Sequence, residues 1–454
     1  MSLPDLSIPE AGRRLRSGET SAVALAEAHL ERIATRDDHY HAFVTITAEA
    51  ALAEAAQADS ELAAGQDRGP LHGIPVGIKD LIDTAGIRTS CGSRLLQSHV
   101  AERDAQVVAQ LRDAGAVLVG KLATYEFALV GPSFDLPFPA PRNPWNPDHI
   151  TGGSSSGSAA AVAGGLLRTA LGTDTGGSIR SPACYCGIVG LKPSRERVSR
   201  EGVFPLSPTL DHVGPLSATV EEAALTLDAL SDAGAATRLR EGAEGRRIGY
   251  ARDWFARDPH THPAALAAMD DAASALSLLG ARIEEVQLPN YDLFEAVGAV
   301  ILQAEALEVH AEWLAHRPDE YGRLAYRNLL TGLALEPANV AAARAMAAEL
   351  TRQIDQAVFA HHDALLTINT LGPALPFSAF DGITSVWTHM RTLPFNVTGH
   401  PVLALPAGFV DGLPLGLQLV GRHADEGTLC AIGHAFERAT DHGAPRPPAP
   451  VAAG

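Results

Sequence analysis

Residues 172–178 read Gly-Thr-Asp-Thr-Gly-Gly-Ser, and residues 152–158 read Gly-Gly-Ser-Ser-Ser-Gly-Ser. These stretches contain Ser178 and Ser154, and Lys79 precedes both in a segment whose pattern predicts burial. A serine hydroxyl attacks a carbonyl only after a base has removed its proton, and a lysine amine can be that base once burial lowers its pKa. Together the three residues predict cleavage of an amide by a serine nucleophile.

Lysine is scarce in this chain. Lys and Arg together number 35, yet the only lysines are Lys79, Lys121 and Lys192. A guanidinium stays protonated in proteins, whereas an ammonium can be tuned into a base. Lys79 is therefore the candidate base, while a solvated loop or a salt bridge is the simpler interpretation of Lys121 and Lys192.

The amino-acid composition restricts the classes of binding partner and the cellular compartment that we expect for this protein. The formal net charge of -18 over 454 residues should repel nucleic acids and anionic membranes. The four cysteines are too few for a disulfide framework and lack the spacing of a metal site. No export signal or membrane span is visible. We expect a cytoplasmic protein, monomeric or homodimeric, without metal, cofactor, nucleic-acid or membrane partner.

Apolar periodicity predicts alternating helices and strands. Ser21 should cap an amphipathic helix, residues 49–64 form a second one, and a third should begin at Asp104. Strands are predicted at 74–79 and 117–119, so the pattern indicates an α/β sheet with parallel elements. Further strands are predicted at residues 247–250, 282–286, 365–368, 402–405 and 417–420.

Three segments interrupt this pattern. Residues 132–147 hold six prolines and should form an extended connector. The Gly-, Ala- and Arg-rich segment 232–246 is predicted to be a flexible surface excursion. The Pro- and Ala-rich tail, 443–454, is predicted to be disordered. We therefore expect one domain over residues 1–442.

The stretch 151–158 admits three other interpretations. It fits the G-x-S-x-G nucleophile elbow with Ser155 central, but no strand precedes the turn. It resembles a phosphate-binding loop, but Ser158 stands where the lysine must be. A flexible Gly/Ser turn also fits. The stretch 172–178 favours catalysis, because the backbone N–H groups of Thr175, Gly176 and Gly177 are available to an oxyanion beside Ser178.

At this point the chain resembles the amidase signature family. The resemblance rests on residues 73–80, 152–163, 172–180, 186–193, 394–396 and 416–419. It implies a single large domain with a central mixed, largely parallel, twisted β-sheet surrounded by α-helices. It also implies a catalytic core at about 70–220 and a variable substrate-pocket region at about 285–395.

The same resemblance assigns roles to individual residues. Ser178 would be the nucleophile, Ser154 a bridging serine after a cis peptide bond, and Lys79 the base. The backbone N–H groups of Thr175, Gly176, Gly177 and Ser178 would form the oxyanion hole, and Asp174 and Arg180 would brace the turn. Ser156 stands where relatives more often have glycine, and residues 367–370 depart from their Pro-Thr pattern.

Aromatic residues in the variable stretches suggest an apolar, aryl-accepting pocket. The pocket residues predicted are Tyr125, Phe127, Gly131, Phe134 and Trp387. The expected function is hydrolysis of small apolar or aryl amides, with carbamates (a urethanase activity) and esters as options, so that the partner is a small molecule. One alternative is the glutaminase subunit of a tRNA-dependent amidotransferase, which passes ammonia to a partner enzyme. The other is a catalytically silent binding protein on the same fold.

Overall fold

An 11-stranded β-sheet forms the centre of the molecule. The structure is a computed structural model that describes residues 2–448 of the chain. A separate two-stranded hairpin consists of β4 and β5. The strands are β1 (Phe43–Ile46), β2 (Pro75–Lys79), β3 (Val117–Leu122), β4 (Arg142–Asn143), β5 (Asn146–Ile150), β6 (Thr169–Asp174), β7 (Val189–Lys192), β8 (His212–Ser217), β9 (Arg247–Tyr250), β10 (Arg282–Glu285), β11 (Ala364–Ile368), β12 (Val402–Val410) and β13 (Leu413–Gly421).

The sheet is mixed. Its strand order is β1-β3-β2-β6-β8-β7-β12-β13-β11-β9-β10. Parallel pairs join β3, β2 and β6 near one edge and β11, β9 and β10 at the other. The strands between them pair antiparallel, and so does the edge strand β1. The prediction of a single α/β domain with a mixed central sheet is confirmed.

Helices flank this sheet in two rows. The helices are α1 (Ile8–Ser17), α2 (Ala22–Tyr40), α3 (Ala48–Ala63), α4 (Gln106–Asp113), α5 (Ser156–Ala163), α6 (Arg180–Cys186), α7 (Val220–Leu230), α8 (Pro263–Leu278), α9 (Tyr291–His316), α10 (Arg323–Leu330), α11 (Pro337–Ile354), α12 (Pro394–Val397) and α13 (Glu426–Ala439). One row contains α4, α7, α13 and α8, and the other contains α2, α5 and α6. As predicted, Ser21 caps α2 by accepting a hydrogen bond from Ala24 N at 3.0 Å.

The packing of helix α5 explains why the stretch 152–158 consists of small residues. All eight of its residues are buried. A Cβ on Gly157 would lie 2.4 Å from Ala123 N and from Ala42 O, so only glycine fits there. The helix therefore packs directly on the backbone beside β3, which fixes the position of Ser154 at its N-terminal end.

The segment 232–246 is ordered, so the prediction of a flexible excursion is wrong. Its 3-10 helix (Ala236–Glu241) packs against α13 and buries Leu239. Small residues on either side, Ala235 and Ala243, are buried as well. Alanine supplies enough apolar surface for this packing, although the composition of the segment resembles that of a loop.

Two other predictions concern the connector and the tail. The proline-rich connector partly forms the β4–β5 hairpin. In the tail, residues 443–448 form no helix or strand, and 449–454 lie outside the described residues. Within residues 2–448, no helix combines the length and the apolar character that crossing a membrane requires.

Candidate active site

Lys79 ends strand β2 and is completely buried. Its Nζ donates to three hydroxyl oxygens, Ser154 Oγ at 2.8 Å, Ser155 Oγ at 3.0 Å and Thr173 Oγ1 at 2.7 Å. An ammonium has three donors, so these acceptors account for all of them. Ser155 Oγ in turn donates to Thr173 O at 3.1 Å, which fixes the orientation of this hydroxyl around the amine.

Burial lowers the pKa of Lys79 to about 7, although the more distant carboxylates of Asp174 and Asp211 act in the opposite direction. A substantial fraction of the amine is therefore neutral near pH 7. The other two lysines are also buried. Lys121 pairs with Asp80 at 3.3 Å, whereas Lys192 Nζ donates to Pro193 O at 2.9 Å. The solvated-loop interpretation of these two lysines is therefore wrong.

Ser154 and Ser178 lie on adjacent segments of backbone. Ser155 N donates to Ser178 O at 3.3 Å, which joins the N-terminal end of α5 to the turn after β6. The Gly153–Ser154 peptide bond is cis, as the resemblance implies. Ser154 is buried against Lys79, whereas Ser178 is partly exposed and lines a cavity. The geometry thus gives a hydroxyl facing the amine and a second hydroxyl facing the cavity.

The turn between β6 and α6 carries the predicted oxyanion donors. Gly177 N donates to Asp174 Oδ1 at 2.9 Å, so this N–H is already engaged. Thr175, Gly176 and Ser178 all line the cavity. Gly177 has a φ of 132°, and a Cβ there would lie 2.2 Å from Thr392 Oγ1. Glycine is required at 177 for conformation and for space.

A buried ion pair holds this turn. Arg180 donates to both carboxylate oxygens of Asp174, through Nε at 3.0 Å and Nη2 at 2.9 Å. Its remaining donors reach Thr392 O at 2.8 Å, Gln418 Oε1 at 3.1 Å and Asn396 Oδ1 at 2.6 Å. Burial alone would raise the pKa of Asp174, but the Arg180 guanidinium outweighs it and holds that pKa low.

The cavity beside Ser178 has a volume of about 330 Å³. Of the predicted pocket residues, Tyr125, Gly131 and Trp387 line it. Phe127 instead lies fully buried in a cluster with Phe204, His310, Trp313 and Tyr321. Phe134 is 51% exposed and packs on Phe377. These two aromatics therefore belong to the core and the surface, not to the cavity.

The predicted pocket residues do not include the polar side chains of the cavity wall. Glu295 and Gln303 from α9 and Asn328 from α10 line it, and Gln303 Nε2 donates to Asn328 Oδ1 at 3.3 Å. Burial raises the pKa of Glu295, and the nearby Arg391 acts against that rise. Glu295 and Gln303 lie eight positions apart on one helix, a spacing that places side chains on one face, and that signal was available in the sequence.

The model of the family described as Amidase matches residues 24–430. A relative from Roseiflexus sp., named as a subunit of glutamyl-tRNA(Gln) amidotransferase, is 38% identical, with 99% of each chain covered. Further curated relatives, 36–37% identical, carry the same name.

Solved structures give the same fold. The peptide amidase from Stenotrophomonas maltophilia aligns with a TM-score of 0.86 at 33% identity and covers 98% of this chain and 99% of its own. The corresponding glutamyl-tRNA(Gln) amidotransferase subunit from Thermotoga maritima aligns with a TM-score of 0.81 at 30% identity, covering 96% of this chain and 95% of its own.

These relatives correct two predictions. Hydrolysis of small apolar or aryl amides as the main function is wrong, since the curated relatives are named as subunits of an amidotransferase. The expectation of a small-molecule partner without nucleic acid is wrong for the same reason, because the name of that enzyme specifies a glutamyl-tRNA. The relatives are named as subunits, and the net charge of a single chain says nothing about the charge of partner chains that could bind a nucleic acid, so the charge argument does not exclude one.

Proposed function

The chain belongs to the amidase family, and from this premise we propose that it releases ammonia from the side-chain amide of glutamine as the glutaminase subunit of a tRNA-dependent amidotransferase. The observation that carries the amide chemistry is the buried Lys79 amine, whose hydrogen-bond partners within residues 2–448 are all hydroxyl groups, with Ser154 Oγ at 2.8 Å. An amine with a pKa of about 7 can accept a proton at neutral pH.

In the proposed reaction, Ser178 Oγ attacks the amide carbon while its proton passes to Ser154, whose own proton passes to Lys79. The carbonyl oxygen becomes an oxyanion, which the N–H groups of Gly176 and Ser178 stabilise. The proton then returns through Ser154 to the leaving nitrogen, the C–N bond breaks and ammonia departs. Water hydrolyses the Ser178 ester by the same proton route, releasing the carboxylic acid.

The cavity supports an amino-acid amide. Glu295 offers a carboxylate to an α-ammonium group, and the Gln303 and Asn328 amides add hydrogen-bonding groups elsewhere on the cavity wall. Both ends of glutamine can then be held, with the side-chain amide at Ser178. The chain is strongly acidic, so we propose that partner subunits hold the tRNA and that this chain supplies ammonia in the cytoplasm.

A second candidate function is favoured by the absence of a cationic side chain from the described residues of the cavity wall. No lysine, arginine or histidine is among the described residues that line it, so the α-carboxylate of free glutamine meets no cation there. Most of the wall is apolar, including Leu206, Leu302 and Trp387. A peptide that ends in a carboxamide carries no such carboxylate, and the Stenotrophomonas relative is named a peptide amidase. Deamidation of peptide carboxamides by the same three residues is therefore the alternative.

Ammonia release separates the two candidates. The purified protein is incubated with glutamine, asparagine or C-terminally amidated peptides, alone and with the other subunits of the Roseiflexus enzyme and glutamyl-tRNA(Gln). The glutaminase proposal expects ammonia from glutamine and formation of glutaminyl-tRNA in the reconstituted mixture, both absent with Ser178→Ala. Release from amidated peptides but not from glutamine would replace it with the second candidate. Activity retained by Ser178→Ala would overturn the mechanism of both.

A further inference from the structure

Three side chains of types that bind metal ions, Asp355, His400 and His423, lie close together in space. In sequence they are remote from Lys79, Ser154 and Ser178. Asp355 begins a π-helical turn (Asp355–Phe359) after α11, His400 lies just before β12, and His423 follows β13. One ligand atom from each of the three side chains lies within 4.8 Å of the other two. The π-helical turn adds to this observation, because such turns occur frequently at functional sites.

We infer that Asp355, His400 and His423 form a binding site for a divalent transition metal ion, with Zn²⁺ as the best match. Two imidazole nitrogens and one carboxylate oxygen are a donor set that zinc accepts, with water completing a tetrahedron. Calcium and magnesium prefer all-oxygen ligands, so they fit less well. His423 and Asp355 are not buried, which gives the ion a path from solvent.

His400 is oriented as a ligand would be. The ring is fully buried, its Nδ1 lies 2.8 Å from Thr398 Oγ1, and its Nε2 lies 3.1 Å from Asp355 Oδ1. Phe359 stacks on one side at a centroid distance of 4.8 Å. With hydrogen on Nδ1 donated to Thr398, the Nε2 lone pair faces the carboxylate, and a cation between them satisfies both groups.

His423 completes the site from the other side. Its ring centroid lies 4.1 Å from that of His400, and the two rings are inclined by 31°. The His423 side chain is exposed and free to change rotamer, and one of its ring nitrogens already lies within 4.8 Å of the ligand atoms of His400 and Asp355. An ion held there would connect the end of α11, the start of β12 and the loop before α13.

Neighbouring charges set how tightly the site binds. Burial lowers the pKa of His400 and the nearby Arg195 guanidinium acts in the same direction, so desolvation and this charge both oppose a bound cation. The Asp355 carboxylate offsets part of that opposition. Three protein ligands and this cationic background predict weaker binding than in a closed four-ligand structural zinc site.

Tag-free, chelator-treated full-length protein provides the test. Equilibrium dialysis against ZnCl₂ should show a single saturable ion per chain and a rise in Tm on loading. His423→Ala and Asp355→Asn should each weaken binding about tenfold or more and abolish the rise in Tm. His361→Ala, which removes an exposed histidine outside the cluster, is the matched control and should bind as the wild type does.

Cobalt supplies an independent readout. Co²⁺ bound by the wild type should give visible d–d absorption bands that Zn²⁺ displaces, and His423→Ala should lose them. Equal Zn²⁺ binding by the wild type and both cluster variants would overturn the inference, as would no saturable binding by the wild type. Circular dichroism of each variant establishes folding, so that loss of binding can be distinguished from loss of structure.

Discussion

At the scale of single residues, the central feature is a lysine held by hydroxyl groups rather than by a carboxylate. A carboxylate partner would stabilise the ammonium and keep its pKa high, whereas Ser154, Ser155 and Thr173 are neutral acceptors. Desolvation therefore dominates the pKa of Lys79. The identity of the neighbours, rather than burial alone, makes this amine usable as a base.

The Lys79 amine should set the acid limb of the pH–rate profile. Only the neutral form accepts a proton, so kcat/KM should rise with pH through about 7 and then level. Lys79→Met should reduce kcat by about 10²–10⁴-fold, and Lys79→Arg should not restore it. A Lys79→Met variant that keeps the wild-type profile would show that another group is the base.

Replacement of Thr173 should shift the acid limb of the pH–rate profile. Thr173 Oγ1 accepts from Lys79 Nζ at 2.7 Å, which favours the ammonium form. Thr173→Val keeps the shape and removes the acceptor, so the acid limb should shift to lower pH. The measurement is kcat/KM between pH 5 and 9 (about two units on either side of the limb). A shift to higher pH would contradict the assigned sign.

Glu295 should select substrates that carry an ammonium group. Hydrogen bonds to charged groups contribute about 1.5–3 kcal/mol, so Glu295→Gln should raise KM for glutamine by about tenfold or more with little change in kcat. Glu308→Gln makes the same change at an exposed position of α9 that does not line the cavity; it is the control and should leave KM unchanged. An equal loss in kcat for an amide without an amine would show a purely structural effect.

At the scale of elements, the turn from β6 to α6 depends on its buried ion pair. Asp174→Ala leaves the Arg180 guanidinium buried without its carboxylate, so the free energy of unfolding should fall by about 3–5 kcal/mol. Glu320→Ala removes the partner of Arg317 in an exposed pair and should cost less than about 1 kcal/mol. Urea titration of both variants tests the difference, which should vanish if the buried pair is dispensable.

Elements with strong local signals could be predicted from the sequence. Helix α2 shows its cap and its apolar face, and the predicted strand at 247–250 coincides with the observed bounds of β9. Strand β6 is not predicted, because Thr169–Asp174 contains only two apolar side chains, Ala170 and Leu171, and so lacks the apolar run that marks a buried strand. Strand β8 is not predicted either, because Gly214 and Pro215 lie inside it and both residues usually argue against a strand.

In the candidate site too, residues within a local motif could be predicted from the sequence, whereas residues of the cavity wall could not. The Gly-rich stretches and the scarcity of lysine point to Lys79, Ser154 and Ser178 directly. The cavity wall is assembled from α9, α10 and residues 385–393, which are distant in sequence, and no local pattern says that Phe127 faces the core while Trp387 faces the cavity. Ring size and apolar character could not separate these two environments.

At the scale of the whole molecule, every lysine is buried, with relative exposures of 0%, 1% and 0% for Lys79, Lys121 and Lys192. Amine-selective reagents should therefore leave these lysines unmodified in the native protein, while all three react after unfolding. Peptide mass mapping with and without denaturant measures this. Rapid native labelling of Lys121 or Lys192 would contradict the packing described for β3 and β7.

The stability of the molecule should also depend on pH through Lys79. Its pKa is lowered from 10.5 in the unfolded chain to about 7 in the fold, so the unfolded state binds more protons between these values. The contribution of Lys79 to the free energy of unfolding should therefore increase as pH rises from about 7 to about 10.5. Wild type and Lys79→Met should diverge in this window and run parallel below it.

The contacts of Arg180 also determine when, during translation, the turn that carries Ser178 can become fully structured. Three of its acceptors belong to Thr392, Asn396 and Gln418, which the ribosome adds long after both serines. A nascent chain that stops before these residues contains Ser178 but lacks three of the acceptors that hold Arg180 and its turn. We therefore expect the turn that carries Ser178 to reach its final geometry only late in translation.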